Sequence, residues 1–130
     1  MKATFSVVAD PARDLVRITL GGFFTTDDIA SFGIARANAF RRLTCGPNRH
    51  VTLTDIRGMA IQSQEAVGRW AAVLSDPAWV SRRLGFITAT TLARSQLQRA
   101  IGGRDEVRCF TDPDEAEAWV LAAGPASRAA

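Results

Sequence analysis

The stretch "TLTDIRGMAIQSQE", residues 52–65, decides how the rest of the chain is read. It opens as a strand, with Leu53 alternating against Thr52 and Thr54, and the strand is expected to stop at Asp55. A tight turn at Gly58 is expected next, and then a polar helix start carrying Ser63 and Gln64. Strand, loop and helix in that order make one unit of a parallel sheet. Loops at the carboxyl ends of parallel strands are where α/β proteins place chemistry.

The same alternation recurs on both sides of this stretch. "ATFSVVA", residues 3–9, and "LVRITL", residues 15–20, alternate apolar and polar side chains, and "DPARD" between them is a turn, so the two form a β-hairpin. Gly21 and Gly22 end the second strand. Thr25 or Thr26 then opens a helix running to about Leu43, with Asp27 and Asp28 at its positive end. Its core face is Ile29, Phe32, Arg36 by its aliphatic stem, Phe40 and Leu43. "CGPNR", residues 45–49, breaks the chain ahead of the strand "HVTLTD", in which Val51 and Leu53 face one way and Thr52 and Thr54 the other.

Downstream, a helix over 63–75 places Val67, Trp70, Ala71 and Leu74 on one stripe. "DPAWVSRR" is a connector with a short helical turn, and "LGFITA", residues 84–89, is a strand. "TLARSQLQRAI", residues 91–101, is a helix with Leu92, Ala93, Leu97 and Ile101 inward, and "VRCF", residues 107–110, is the last strand. The last helix, "DPDEAEAWVLAA", has Asp112 as N-cap and Pro113 at its first position, and docks on the sheet through Ala116, Trp119 and Val120. One domain is expected over 1–123, with "GPASRAA", residues 124–130, as a flexible tail.

The order is therefore β-β-α-β-α-β-α-β-α: an α/β fold with a mostly parallel mixed sheet and an antiparallel N-terminal hairpin strand. Strands covered on both faces read as continuous apolar runs, whereas these alternate. The helices are accordingly expected chiefly on one side of the sheet, with the other face more polar or only partly covered.

Composition narrows the function. The chain has 130 residues, 47% hydrophobic and 22% charged, which is ordinary for one soluble domain. No apolar run approaches the roughly 20 residues that span a bilayer, and "MKATFSVVAD" does not read as a signal peptide. A cytoplasmic, bacterial-type setting without membrane contact is expected. Of the 16 basic residues only Lys2 is a lysine. The arginines are dispersed and do not interleave with aromatic residues, so the net charge of +3 is read as a solvated surface and not as a nucleic-acid site. Cys45 and Cys109 form no paired motif and are read as free thiols in or near the core. His50 is the one histidine and is read as a strand-edge residue. Nothing in the spacing marks a metal site, a cofactor or a catalytic set.

Three segments together carry a resemblance: the hairpin leading through Gly21 and Gly22 to a capped helix, "TDIRG" at 54–58, and "CFTDPDEAEAWV" at 109–120. In their order and spacing the chain resembles the SpoIIAA-like, STAS-type domain family, in its stand-alone branch. The resemblance implies a non-enzymatic regulatory or protein-interaction module. Classical members are anti-sigma factor antagonists, switched when a partner kinase phosphorylates a serine in the loop after the "TDIRG" strand. The classical pattern has an Asp-Ser pair in that loop. Counted from Asp55, those two places fall on Ser63 and Gln64, so the acceptor place carries an amide and no hydroxyl. Read from the residues alone, Ser63 is a helix N-cap, Asp55 a strand-end turn former and Arg57 a solvated side chain.

The candidate binding set is Asp55, Arg57, Gly58, Ser63 and Gln64, with Trp79 as the tryptophan best placed to line a pocket. Backbone N–H groups at the helix start make a cradle for an anion or a carbonyl. The expected partner is a protein, and a homodimer is compatible with this reading. The alternative is a carrier of a small apolar or acyl ligand, with a pocket between Phe32, Phe40, Trp70 and Trp79. Aromatic residues at helical spacing are also what a plain core contains.

Overall fold

The chain starts with two antiparallel strands, β1 (Thr4–Asp10) and β2 (Leu15–Gly22), joined by a short 3₁₀ turn at Pro11–Arg13. Asp14 closes that turn in the left-handed region, at φ 52°, with its N–H bonded to the Pro11 carbonyl. The structure is a computed structural model in which residues 2–89 and 91–122 are described; the side chains of Ala93 and Ala100 lie outside the description.

At the far end of β2, Gly22 takes φ 81°, and a Cβ there would collide with the Lys2 carbonyl. Only glycine fits that turn into α1 (Thr26–Arg41). The helix begins on a complete capping box: the Thr25 hydroxyl accepts from the Asp28 N–H at 3.1 Å, and the Asp28 carboxylate accepts from the Thr25 N–H at 2.9 Å. Then follow β3 (Val51–Met59), α2 (Gln64–Leu74), a 3₁₀ turn at Pro77–Trp79, β4 (Arg83–Ile87), α3 (Thr91–Ile101), β5 (Val107–Phe110) and α4 (Pro113–Leu121). The Asp112 carboxylate caps α4 by accepting from the Asp114 N–H at 3.0 Å, as its position before Pro113 predicts.

The five strands lie in the order β1-β2-β3-β4-β5, with β1 antiparallel and the rest parallel. Because the order never reverses, crossovers of one hand carry α1, α2 and α3 to the same face. There they bury Ile29, Phe32 and Phe40, then Ala66 and Trp70, then Leu97 and Ile101, over Ile18, Leu20, Ile56, Leu84 and Phe86. No crossover constrains α4, and it lies on the opposite face against β3, β4 and β5. Its Ala116 and Val120 pack on Leu15, Val51, Leu53 and Ile87, with Trp119 half-buried beside them. The alternating strands thus foretold the unequal cover. β3 divides the two cores, turning Val51 and Leu53 to α4 and Thr52, Thr54 and Ile56 to the larger core.

Four expectations need correction. β3 does not stop at Asp55: it runs to Met59, because β2 continues through its two glycines and, after a register shift, pairs Gly21 with Gly58 and Gly22 with Met59. Gly58 is consequently a strand residue and not a turn. His50 is no edge residue; it is 3% exposed, lying under the Phe40 ring at 4.3 Å between centroids. Leu92 is 50% exposed, and only Leu97 and Ile101 of the α3 stripe reach the core, the Ala93 side chain lying outside the description. Arg36 buries its guanidinium as well as its stem. Cys45 and Cys109 are free, half-buried thiols, and burial pushes both above the ordinary thiol range. Residues 124–130, expected as a tail, lie outside the described residues.

Candidate functional site

The opening stretch builds two separate features. At the start of α2 the Ser63 hydroxyl accepts from the Ala66 N–H at 3.1 Å, which is the N-cap bond expected from its position. Gln64 is the first residue of the helix and is exposed. Asp55 and Arg57 sit on β3 itself. A spacing of two puts their side chains on one face of the strand. The Asp55 carboxylate accepts from Arg57 Nε at 3.0 Å, from Nη2 at 2.7 Å and from the Arg57 backbone N–H at 3.0 Å. These bonds hold the Asp55 carboxyl below the usual carboxylate range. The pair opens onto a shallow polar groove beside α4, where Arg17 and Glu117 form a second ion pair.

The sequence-predicted residues therefore divide. Asp55 and Arg57 face the α4 side, with Gly58 following them on the strand. Ser63 and Gln64 start α2 on the other side. Trp79 lies past the far end of α2, just ahead of β4, and so at the opposite end of the sheet.

The residue that ties the carboxyl-end loops together is Gln62, which sequence reasoning passed over in favour of its neighbours. It is 9% exposed. Its carboxamide oxygen accepts from the Phe24 N–H at 3.1 Å, and its NH2 donates to the carbonyls of Gly22 and Ala60. Its backbone trades two bonds with the Gln96 side chain, at 3.0 and 2.9 Å. One side chain and its own peptide thus join the end of β2, the end of β3 and α3. Apart from Ala60 the partners are tens of residues away, so the local sequence carries no sign of it.

Between the sheet and α1, α2 and α3 lies a cavity of about 90 Å3, its lining running from Ala60 and Gln62 at the carboxyl end to Trp79 and Ser81 at the other. Of the four aromatic residues expected around a pocket, Phe32, Trp70 and Trp79 line it, whereas Phe40 packs behind them on His50 and Trp79. The walls are otherwise largely apolar. Arg36, 8% exposed, donates from Nη1 to the Val73 carbonyl at 3.1 Å and from Nη2 to the Trp79 carbonyl at 3.2 Å. Burial lowers its pKa to about 10, against the opposing charge of Asp76, so it stays cationic at neutral pH. A buried chain runs from His50 Nε2 to Ser81 Oγ, 3.1 Å, and on to Thr52 Oγ1, 2.8 Å. Burial, with Arg36 and Arg82 nearby, pushes His50 down to about 4, and it is neutral at pH 7. Among the described residues no group of three or more His, Cys, Asp or Glu side chains is placed to hold a metal, and no helix is long and apolar enough to cross a membrane.

No protein-family model matches the chain, and no curated protein matches it. Solved structures do. An uncharacterised protein of the DUF3478 family with a SpoIIAA-like fold, from Shewanella loihica PV-4, superposes with a TM-score of 0.71 at 16% identity, over 92% of this chain and 96% of that one. An anti-sigma factor antagonist from Mycobacterium paratuberculosis superposes with a TM-score of 0.61 at 11% identity, over 92% of this chain and 94% of that one. Strand order, helix placement and these superpositions agree: the chain has a SpoIIAA-like fold.

Proposed function

We propose that the protein is a non-enzymatic regulatory module of STAS type that engages a protein partner through the loops at the carboxyl ends of β2, β3 and β4, without a phosphorylation switch. The observation that carries this reading is the start of α2. The hydroxyl of Ser63 is taken up by the helix cap, and the next residue, Gln64, offers an amide where a kinase needs a hydroxyl. A second feature supports a protein partner. Phe23, Ile61 and Leu92, 39%, 55% and 50% exposed, stand on the loop after β2, the loop after β3 and the first turn of α3. All three belong to the end of the sheet that Gln62 ties together. Exposed apolar side chains held on a fixed frame suit docking better than catalysis. The solved neighbour named as an anti-sigma factor antagonist lends the same reading its fold-level support. The setting proposed is the cytoplasm, with neither nucleic acid nor membrane as a partner.

The test is intact-mass and phosphopeptide mass spectrometry of the protein isolated from its native cell, paired with affinity capture by the wild type and by Ser63→Ala. The expected result is no phosphate at Ser63 and the same captured partner in both. Ser63→Ala loses about 1 kcal/mol of stability as a lost cap. Substantial phosphate at Ser63, lost in the variant together with a change in the captured partner, would restore the phosphorylation switch and overturn this reading.

A further inference from the structure

The two edges of the sheet differ. β5 is four residues long, carries the exposed Arg108 and gives way at once to Asp112, Pro113 and α4. Short strands, charges and proline are the usual guards of an open edge. β1 has none of them along its length. It runs for seven residues, and Lys2 extends it by bridging Phe23, so the edge reaches from Lys2 to Asp10. Between those two residues stand no proline and no charge, and the register with β2 is unbroken by any bulge. β2 takes up one side of β1; among the described residues no strand takes up the other.

Two features point to what takes up that side. Val7 and Ala9 pack on the larger core, and Phe5, on the same face of the strand, meets the Phe32 ring edge-on at 5.8 Å yet is 40% exposed. The ends of the edge carry opposite charges, Lys2 at one and Asp10 at the other. Lys2 forms none of the described ion pairs, and Asp10 has only a long contact with Arg13, at 3.7 Å, among them. Along one extended strand Lys2 and Asp10 stand about 26 Å apart, at about 3.3 Å per residue, and so do not meet within one chain. A strand of the same sequence laid antiparallel brings them together at both ends.

We propose that β1 pairs antiparallel with β1 of a second copy, about a two-fold axis through Ser6, joining two sheets edge to edge. In that register Lys2 faces Asp10 of the second copy, Thr4 faces Val8 and Phe5 faces Val7, each pair being made twice. An aromatic ring opposite a β-branched side chain is a favourable cross-strand pair, as is a pair of opposite charges. Moving the axis to Phe5 or Val7 shortens the ladder and parts Lys2 from Asp10. Both copies of α1 come to the same face of the joined sheet. The flanks of α1 are small, Gly33 and Ala37 on one side of its buried stripe and Ala35 on the other, so two such helices have room side by side. The pairing uses no residue of the loops after β3 and β4, and it stands or falls apart from the partner proposed for them.

Sedimentation equilibrium of the full chain, loaded from about 1 μM to about 1 mM, tests it. One edge-to-edge ladder is a small interface, so a reversible dimer of the 14.0 kDa chain is expected, with a dissociation constant in the micromolar range. Ser6→Lys sets two like charges opposite each other on the axis, at an exposed position, and should leave the chain folded by circular dichroism but monomeric. Lys2→Glu and Asp10→Lys should each weaken the dimer about tenfold, and the double variant should return to within about threefold of the wild type, because the pairs are remade with their signs exchanged. That restoration tells pairing between copies from damage to the fold, since the two residues do not meet within one copy. The proposal is overturned if the chain stays monomeric throughout that range, if Ser6→Lys dimerises like the wild type, or if the double variant is no tighter than the single ones.

Discussion

Gln62 and His50 are the residues whose chemistry reaches furthest beyond their own position. Replacing Gln62 with Ala leaves the Phe24 N–H and the Gly22 and Ala60 carbonyls without their partner at a buried joint. Gln62→Ala should cost about 1–3 kcal/mol, read as a fall in the urea midpoint at unchanged slope. His50 makes stability depend on pH. Its folded pKa is near 4 and its ordinary value 6.5, so between those limits the unfolded chain binds the extra proton. The contribution is whole above pH 6.5 and is lost as pH falls towards 4, with an upper size of about 3 kcal/mol. Urea midpoints measured from pH 7 to pH 4 should decline in the wild type, and His50→Gln should flatten that decline. Neither role was legible in the sequence. A glutamine between Ile61 and Ser63 looks like loop polarity, and a histidine after "CGPNR" looks like a strand edge, because what surrounds each comes from distant parts of the chain.

At the scale of elements, α4 lies close over β4 at Gly85. A Cβ built on Gly85 would lie 3.0 Å from Val120 Cγ1 and 3.5 Å from Leu53 Cδ1. Gly85→Ala should therefore push the helix off the sheet at a cost of about 1–3 kcal/mol, measured as a lower thermal midpoint, while a compensating Val120→Ala restores part of the loss. Elements whose signals are local were legible: the capping box of α1, the Ser63 cap of α2 and the Asp112–Pro113 start of α4 follow from residues within one helical turn. The extension of β3 to Met59 was not, because it depends on β2 carrying its glycines alongside. Leu92 was misplaced for a related reason. Helical spacing gives a stripe its direction, and the end of the sheet decides how far along that stripe the core extends.

For the molecule as a whole, the order of the strands controls where function can sit. Ligand crevices in open α/β sheets form where the strand order reverses and neighbouring loops part to opposite faces. This sheet has no reversal: α1, α2 and α3 cover one face, and Ala60 and Gln62 of the loop after β3 line the cavity beneath them. The β-β-α-β-α-β-α-β-α pattern made the fold class legible. The cavity was legible only as a cluster of aromatic residues, since periodicity tells which side chains point inward and not how completely they fill the space.

That same order has a consequence for how the chain is made. As synthesis proceeds, each strand emerges beside one already present, and α1, α2 and α3 cover their face as they appear. The reverse face waits for the last helix. Until residues 113–121 have left the ribosome, Leu15, Val51, Leu53 and Ile87 have nothing over them. A chain stopped at Thr111 should consequently bind the dye ANS strongly and fall to limited proteolysis, while the full chain resists both. The nascent protein passes through a stage in which all five strands are present yet one side of the sheet is exposed, and this is the stage at which a chaperone would recognise it.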